Sequence, residues 1–372
     1  MKKNINQKHG IILFSIFIIL CSSLMLRGGQ RKYDIQIFAT NIYNNISFNK
    51  IKRYGIDRVI FRTFQNQNLG KGLLFGNSLY KIIEPFLDNL ILKNKASKIL
   101  GQVPDIYAWF ITRNFNWTKK IGLFDYKFYN GDLKLVKKYD LFNERSVNEI
   151  IAVYKELAKK EIDGILIQDD FIIRFNEGMS ELGTREFERV TGVPANIQKM
   201  VKKGNFYNTE WVKIKKRKII EVLGRIIKEV KSINSKIKIG MNVYYETPVF
   251  IEKAEQWYSH NLKDLVNCDL DYIYLMAYQM QIKDEMKLSD DENKKLFKQI
   301  VEEAFNIAGD KLIVKLQVYN WKNSNRALEK NMIDYLKLIP KGVKRVCFTP
   351  VKLKDLKFIK NIIKYDKGFN DE

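Results

Sequence analysis

Eight short runs rich in β-branched and aromatic residues, separated by segments with helical spacing, constrain this chain more than any other feature. The runs are YDIQIFA (33–39), RVIFRTF (58–64), IYAWFIT (106–112), GILIQDD (164–170), KIKIGMNVYY (236–245), DYIYLMAY (271–278), KLIVKLQVY (311–319) and RVCFTP (345–350). Between them lie segments such as 146–160, where Ile150, Val153, Tyr154 and Leu157 share one helical face. Ser146 followed by Glu149 reads as a capping box at the start of that helix. Eight strands alternating with helices predict an α/β fold, a (β/α)8 TIM barrel. The nearly continuous apolar character of the runs suits parallel strands covered on both sides. An open doubly wound sheet would show a glycine-rich first turn, and no GxGxxG follows any of the runs.

The 372 residues are 46% hydrophobic, enough for a sizeable core, and no Gly/Ser linker or low-complexity stretch divides them. One folded domain over 31–372 is expected behind an N-terminal leader over 1–30. In that leader Lys2, Lys3 and Lys8 precede an uncharged apolar stretch from Ile11 to Leu26. Its length falls between a signal-peptide core and a full membrane span. Cys21 follows Ile18, Ile19 and Leu20, loosely like a lipoprotein box, although Leu20 is bulkier than the small residue usual there. Lipoprotein, cleaved signal and uncleaved membrane anchor are all compatible with this pattern. Each predicts that the rest of the chain works outside the cytoplasm, in the periplasm or on the cell surface.

Beyond the leader, Cys268 and Cys347 sit in apolar surroundings without CxxC spacing, so both are expected as buried free thiols. The net charge is +23, from 65 Lys+Arg against 42 Asp+Glu. Such a charge invites a nucleic-acid reading. The lysines are spread along the chain, however, and solvated helix faces account for KIKKRK (213–218). An exported protein seldom meets nucleic acid, so none is expected as a partner.

The run GILIQDD ends in two adjacent carboxylates, Asp169 and Asp170. In a barrel of this kind the active site lies at the C-terminal ends of the strands. Alternation puts Leu166, Gln168 and Asp170 on one face and Ile165, Ile167 and Asp169 on the other. The more apolar face should pack on helices, which points Asp170 into the mouth and leaves Asp169 behind it, or also inward if the strand end bulges. Two carboxylates this close repel, so one should have a raised pKa. A protonated acid near an ionised one is what glycoside hydrolysis requires. The plainer alternative is that the pair caps a turn.

Other strand ends carry Tyr107, Trp109 and Trp117; Asn242, Tyr244, Tyr245 and Glu246; Tyr278 and Gln279; Gln317, Asn320 and Trp321. Aromatic rings stack on sugar faces and amides pair with hydroxyls. Tyr107, Trp109, Trp117, Gln168, Asn242, Tyr244, Tyr245, Tyr278, Gln317 and Trp321 are therefore expected to bind a polysaccharide. No metal and no cofactor is expected.

The blocks RVIFRTFQNQNLGKGLLFGNSL, IYAWF, YDLFNERSVNEIIAVYKELAKKEIDGILIQDD, WYSHNLKDLVNCDLDYIYLMAY and KLIVKLQVYNW occur in order. Across roughly 33–355 the chain resembles the C-terminal glycoside hydrolase domains of the PgaB-type poly-β-1,6-N-acetylglucosamine deacetylases. The block ending in DGILIQDD carries the resemblance most specifically. It implies a (β/α)8 barrel that cuts partially de-N-acetylated poly-β-1,6-N-acetylglucosamine, a biofilm exopolysaccharide, by an endo mechanism. It also places the family's acidic pair on Asp169 and Asp170, with Glu177 as a third carboxylate on the following loop. Two departures stand out. Deacetylase chemistry needs an Asp and two His around a metal. The only histidines are His9, in the leader, and His260, so that activity is not expected. Gln168 stands where the family often has a charged residue or histidine.

Two functions follow from this reading. The first is an endo-acting glycoside hydrolase, with Asp170 as general acid and Asp169 orienting it or stabilising developing charge. Glu246 or Glu177 would be the second catalytic carboxylate, unless a substrate acetamido group serves as nucleophile. The second is a non-catalytic surface protein that binds glycan and assists its export or attachment. The polymer would be cationic, as the protein is, so a local acidic mouth of Asp169, Asp170, Glu177 and Glu246 is expected to attract it while distant lysines are screened.

Overall fold

The computed structural model describes residues 30–38, 45–65, 72–76, 82, 84–114 and 120–369. The expected leader and Trp117 lie outside them. Each of the eight runs overlaps one barrel strand, two of which begin one residue before the run: β1 (Lys32–Ile37), β2 (Arg58–Arg62), β3 (Asp105–Phe110), β4 (Gly164–Ile167), β5 (Lys238–Tyr244), β6 (Tyr272–Met276), β7 (Leu312–Gln317) and β8 (Arg345–Thr349). All neighbours pair in parallel, and β1 hydrogen-bonds to both β2 and β8, which closes the barrel. Among the described residues no helix is long and apolar enough to cross a membrane.

The outward residues of each strand, such as Ile35, Ile37, Ile165 and Ile167, are buried in the layer between strands and helices. The inward residues are more polar than the apolar runs suggest. Asp34 accepts hydrogen bonds from Arg58 at 3.2 Å and from Arg345 at 2.5 Å. The Arg58 guanidinium lies 3.8 Å from the Tyr107 ring centre and donates to the Tyr274 hydroxyl at 2.6 Å. A buried charge is tolerable only when paired in this way. Gly164 sits opposite Tyr107, whose ring fills the space a Cβ would need, and Gly240 makes the same room for Tyr274. This cluster plugs the N-terminal end of the barrel and leaves the other end for a site.

Helix Glu144–Ala158 buries Val147, Ile150, Val153, Tyr154 and Leu157, the face expected from the spacing. Its start differs from the expected capping box. Asn143 is the N-cap, accepting from the Arg145 amide, while Ser146 lies inside the first turn and donates to Leu123 O at 2.8 Å. Cys268 and Cys347 are both free; Cys347 is buried, but Cys268 is only half-buried. The KIKKRK segment lies on the helix Phe206–Ile233, and it is not wholly solvated. Lys215 is buried and donates to Arg174 O at 3.1 Å.

Between β3 and helix Glu144–Ala158 the chain forms a hairpin, Phe124–Tyr129 with Asp132–Tyr139. It packs on the loop that follows β4. Buried Arg113 ties the two together, donating to Asp125 at 2.7 Å, Glu177 at 2.9 Å and Tyr139 O at 2.9 Å.

Candidate active site

A cavity of about 300 Å³ opens at the C-terminal ends of the strands. Its walls are the rings of Phe38, Trp109, Tyr244, Tyr245, Tyr278 and Trp321; its polar lining is Gln36, Gln168, Asp169, Asn242, Gln281 and Lys315. Phe38 lies 4.6 Å from Trp109 and 5.8 Å from Trp321, centre to centre, so the three form a continuous aromatic wall. Tyr244 stacks at 4.0 Å on Tyr258, which fixes it opposite.

Three buried polar atoms in this lining, Gln36 Nε2, Trp109 Nε1 and Gln168 Oε1, have no hydrogen-bond partner within the protein. Buried polar groups are nearly always paired, and each exception needs a reason. A ligand rich in hydroxyls and amides supplies one.

Asp169 is the one carboxylate among the described residues lining this cavity. The Tyr244 hydroxyl donates to its carboxylate at 3.4 Å and to its main-chain oxygen at 3.3 Å. The expectation that Asp170 enters the mouth is corrected. Strand β4 stops at Ile167, and Asp169 and Asp170 form a turn. Strict alternation no longer applies beyond Gln168, whose amide still donates to Phe110 O at 2.9 Å. The turn swings Asp169 into the cavity and sends Asp170 beneath the end of β3. There the Asp170 carboxylate accepts from the amides of Thr112 at 2.9 Å, Arg113 at 2.8 Å and Asn114 at 2.8 Å. Burial pushes its pKa up, against the pull of these three N–H groups, and the neighbouring Asp169 charge adds to the rise. Asp170 is thus the clamp that holds the chain after β3.

Two more expected catalytic carboxylates lie elsewhere. Glu177 is buried between Arg113 and Lys138, at 2.9 and 2.6 Å, and those cations hold its pKa down to about 2 despite desolvation. It fastens the hairpin rather than facing the cavity. Glu246 accepts from Tyr258 at 3.0 Å and pairs with Lys253 at 3.1 Å, behind the wall that Tyr244 and Tyr258 make. Trp109, Gln168, Asn242, Tyr244, Tyr245, Tyr278 and Trp321 line the cavity as expected. Tyr107 does not: it lies in the Arg58 cluster below. Gln317 accepts from the Gln281 amide at 3.0 Å and lines an adjoining cavity. His260 is buried, with Nε2 against Phe171 O at 2.8 Å, and burial lowers its pKa to about 4.

Lys315 is the residue the sequence reading passed over. It projects inward from the middle of β7 and donates to Asn242 Oδ1 at 2.9 Å. Desolvation lowers its pKa to about 8. Its signal was a lysine inside the apolar run KLIVKLQVY. Helix Gln279–Met286 supplies two further acidic groups, Asp284 and Glu285, to the adjoining cavity, which shares Gln281 and Trp321 with the first. Glu285 accepts from the Tyr245 hydroxyl at 2.9 Å. The acidic groups at the mouth are therefore Asp169, Asp284 and Glu285, in place of the expected set. Among the described residues no group of His, Cys, Asp and Glu is arranged to hold a metal ion.

Comparison with solved structures supports the fold. The chain superposes on the PgaB (BpsB) glycoside hydrolase domain from Bordetella bronchiseptica with a TM-score of 0.70 and 16% identity, covering 90% of this chain and 99% of that one. The β-galactosidase from Bacillus circulans sp. alkalophilus matches with a TM-score of 0.62 and 9% identity, covering 90% and 55%. That from the haloarchaeon Halorubrum lacusprofundi matches with a TM-score of 0.60 and 9% identity, covering 91% and 58%. No curated protein matches the sequence. The family model described as hypothetical glycosyl hydrolase family 13 matches residues 41–349. The chain belongs to that family, and it is a glycoside hydrolase built on a (β/α)8 barrel.

Proposed function

We propose that this enzyme cleaves a hexosamine exopolysaccharide internally, with partially de-N-acetylated poly-β-1,6-N-acetylglucosamine as its substrate and Asp169 as the catalytic carboxylate. The observation that carries this reading is the placement of Asp169 in a cavity walled by aromatic rings and lined by unpaired amide and indole groups. The main cavity and the adjoining one lie on either side of Gln281 and Trp321, which line both, an arrangement that suits a chain crossing the mouth rather than an end being held. Asp284 and Glu285 offer carboxylates to the ammonium groups of de-N-acetylated units.

In this mechanism Asp169 donates a proton to the glycosidic oxygen as the bond to the anomeric carbon breaks. Positive charge then develops on that carbon. With one carboxylate in the cavity, the acetamido oxygen of the substrate closes on the anomeric carbon, as in substrate-assisted glycosidases. Water then attacks the same carbon, restores the acetamido group and returns its proton to Asp169. The products are two shorter chains, and no cofactor is consumed. An N-terminal leader would tether the barrel outside the cytoplasm, where such a polymer is found. The test is incubation of residues 31–372 with the partially de-N-acetylated polymer, read by mass spectrometry. Short oligosaccharides are expected. Intact polymer with retained binding would instead identify a glycan-binding surface protein.

A further inference from the structure

We infer that Lys315 is a specificity determinant: it seats the amide carbonyl of an N-acetylated hexosamine at the cavity floor and disfavours a free ammonium there. The inference rests on the proposed reading of the site and names which unit of the polymer the floor accepts.

Lys315 is 1% exposed yet lines the cavity, so its side chain borders the space a sugar would fill. Its position is fixed by Asn242, whose Oδ1 accepts one of its protons at 2.9 Å. An ammonium carries three donors and no acceptor, so protons remain for a ligand. Of the three unpaired polar atoms in the lining, Gln36 Nε2 and Trp109 Nε1 are donors like Lys315, and Gln168 Oε1 is the one acceptor. A lining in which unpaired donors outnumber unpaired acceptors calls for an acceptor oxygen on the ligand. An acetamido carbonyl offers two lone pairs, whereas a glucosamine ammonium offers only donors and a like charge. An anionic substituent fits less well, because Asp169 occupies the same cavity. Even with desolvation lowering its pKa to about 8, Lys315 is mostly charged at neutral pH. Repulsion between two ammonium groups in a desolvated pocket should weigh against glucosamine by about tenfold or more.

The experiment compares wild type, Lys315→Met and Lys315→Gln on partially de-N-acetylated poly-β-1,6-N-acetylglucosamine. The sugar at each newly formed reducing end is identified by mass spectrometry. Because the acetamido group takes part in the reaction, all three should leave N-acetylglucosamine ends; free glucosamine should inhibit both variants, which lack the cation, about tenfold more strongly than it inhibits the wild type. Circular dichroism establishes that each variant is folded, and the Gln variant stands in if the Met variant is not. Glucosamine ends from the wild type, or inhibition of a folded variant by glucosamine no stronger than that of the wild type, would overturn the inference. In parallel, saturation-transfer NMR compares N-acetylglucosamine with glucosamine binding. If the wild type cleaves nothing, the proposed reaction fails and this binding arm decides alone. A preference for the acetylated sugar that disappears in the variants supports the floor assignment; equal binding by the wild type refutes it.

Discussion

Replacing Asp170 by Ala should unfold the enzyme more easily before it alters the chemistry. Among the described residues the Asp170 carboxylate is the only partner of three consecutive amides, Thr112, Arg113 and Asn114. Thr112 and Arg113 are fully buried, and Asn114 is half-buried. A buried donor left unpaired costs about 1–3 kcal/mol, and Asn114 can recover part of its loss from water, so the total is about 3–5 kcal/mol. Unfolding entropy near 2.1 cal/mol/K per residue amounts to about 0.7 kcal/mol/K for a domain this size, giving a fall in Tm of about 4–7 °C. Asp170→Asn keeps one acceptor oxygen and should lose roughly half as much. Differential scanning calorimetry measures both, with cleavage rates taken well below the lower Tm. A Tm within 1 °C of wild type for the Ala variant would refute the clamp. So would abolished cleavage in an Asn variant of unchanged stability, since that is how a reacting carboxylate behaves.

Glu177 gives a pH signature. Its pKa in the fold is about 2 against 4.5 unperturbed, so the ionised form stabilises the fold above pH 4.5, and that contribution fades as pH falls toward 2. The stability difference between wild type and Glu177→Gln, from urea unfolding at each pH, should be largest near neutrality and shrink across that window; a difference that grows on acidification would contradict the ion pairing. Trp321→Ala should leave Tm nearly unchanged, because the residue is 44% exposed, but raise KM roughly two- to twelvefold, as loss of about 0.5–1.5 kcal/mol of ring stacking implies. Gly164→Ala should place a methyl into the Tyr107 ring and lower Tm by about 1–4 °C, the effect of roughly 1–3 kcal/mol of overpacking.

The barrel was legible because its strands are apolar runs bounded by polar loops, a pattern that survives without knowledge of tertiary contacts. Most of the cavity was legible too, since Trp109, Tyr244, Tyr278 and Trp321 stand at or just beyond strand ends, where barrel sites form. The acidic pair was found, but it is Asp169 rather than Asp170 that lines the cavity. Alternation holds only while the chain is extended, and the turn at Asp169 and Asp170 reverses the outcome of a one-residue count. Glu177 and Glu246 lie off the cavity for a different reason: folding pairs Glu177 with Arg113 and Lys138 from distant stretches of chain, and Glu246 with Lys253 and Tyr258 from the helix that follows it. Lys315 was readable in principle. A lysine inside a parallel strand has nowhere to go but inward, toward whatever pairs with it.

The most direct test of the central claim is the cleavage rate of Asp169→Asn beside Asp170→Asn on partially de-N-acetylated poly-β-1,6-N-acetylglucosamine, both at a temperature where calorimetry shows them folded. If Asp169 is the carboxylate that reacts, its variant loses at least about a hundredfold in kcat, the usual scale for a general acid, while the Asp170 variant keeps most of the activity. Wild-type rates from Asp169→Asn, or the reverse order of the two, would contradict the account.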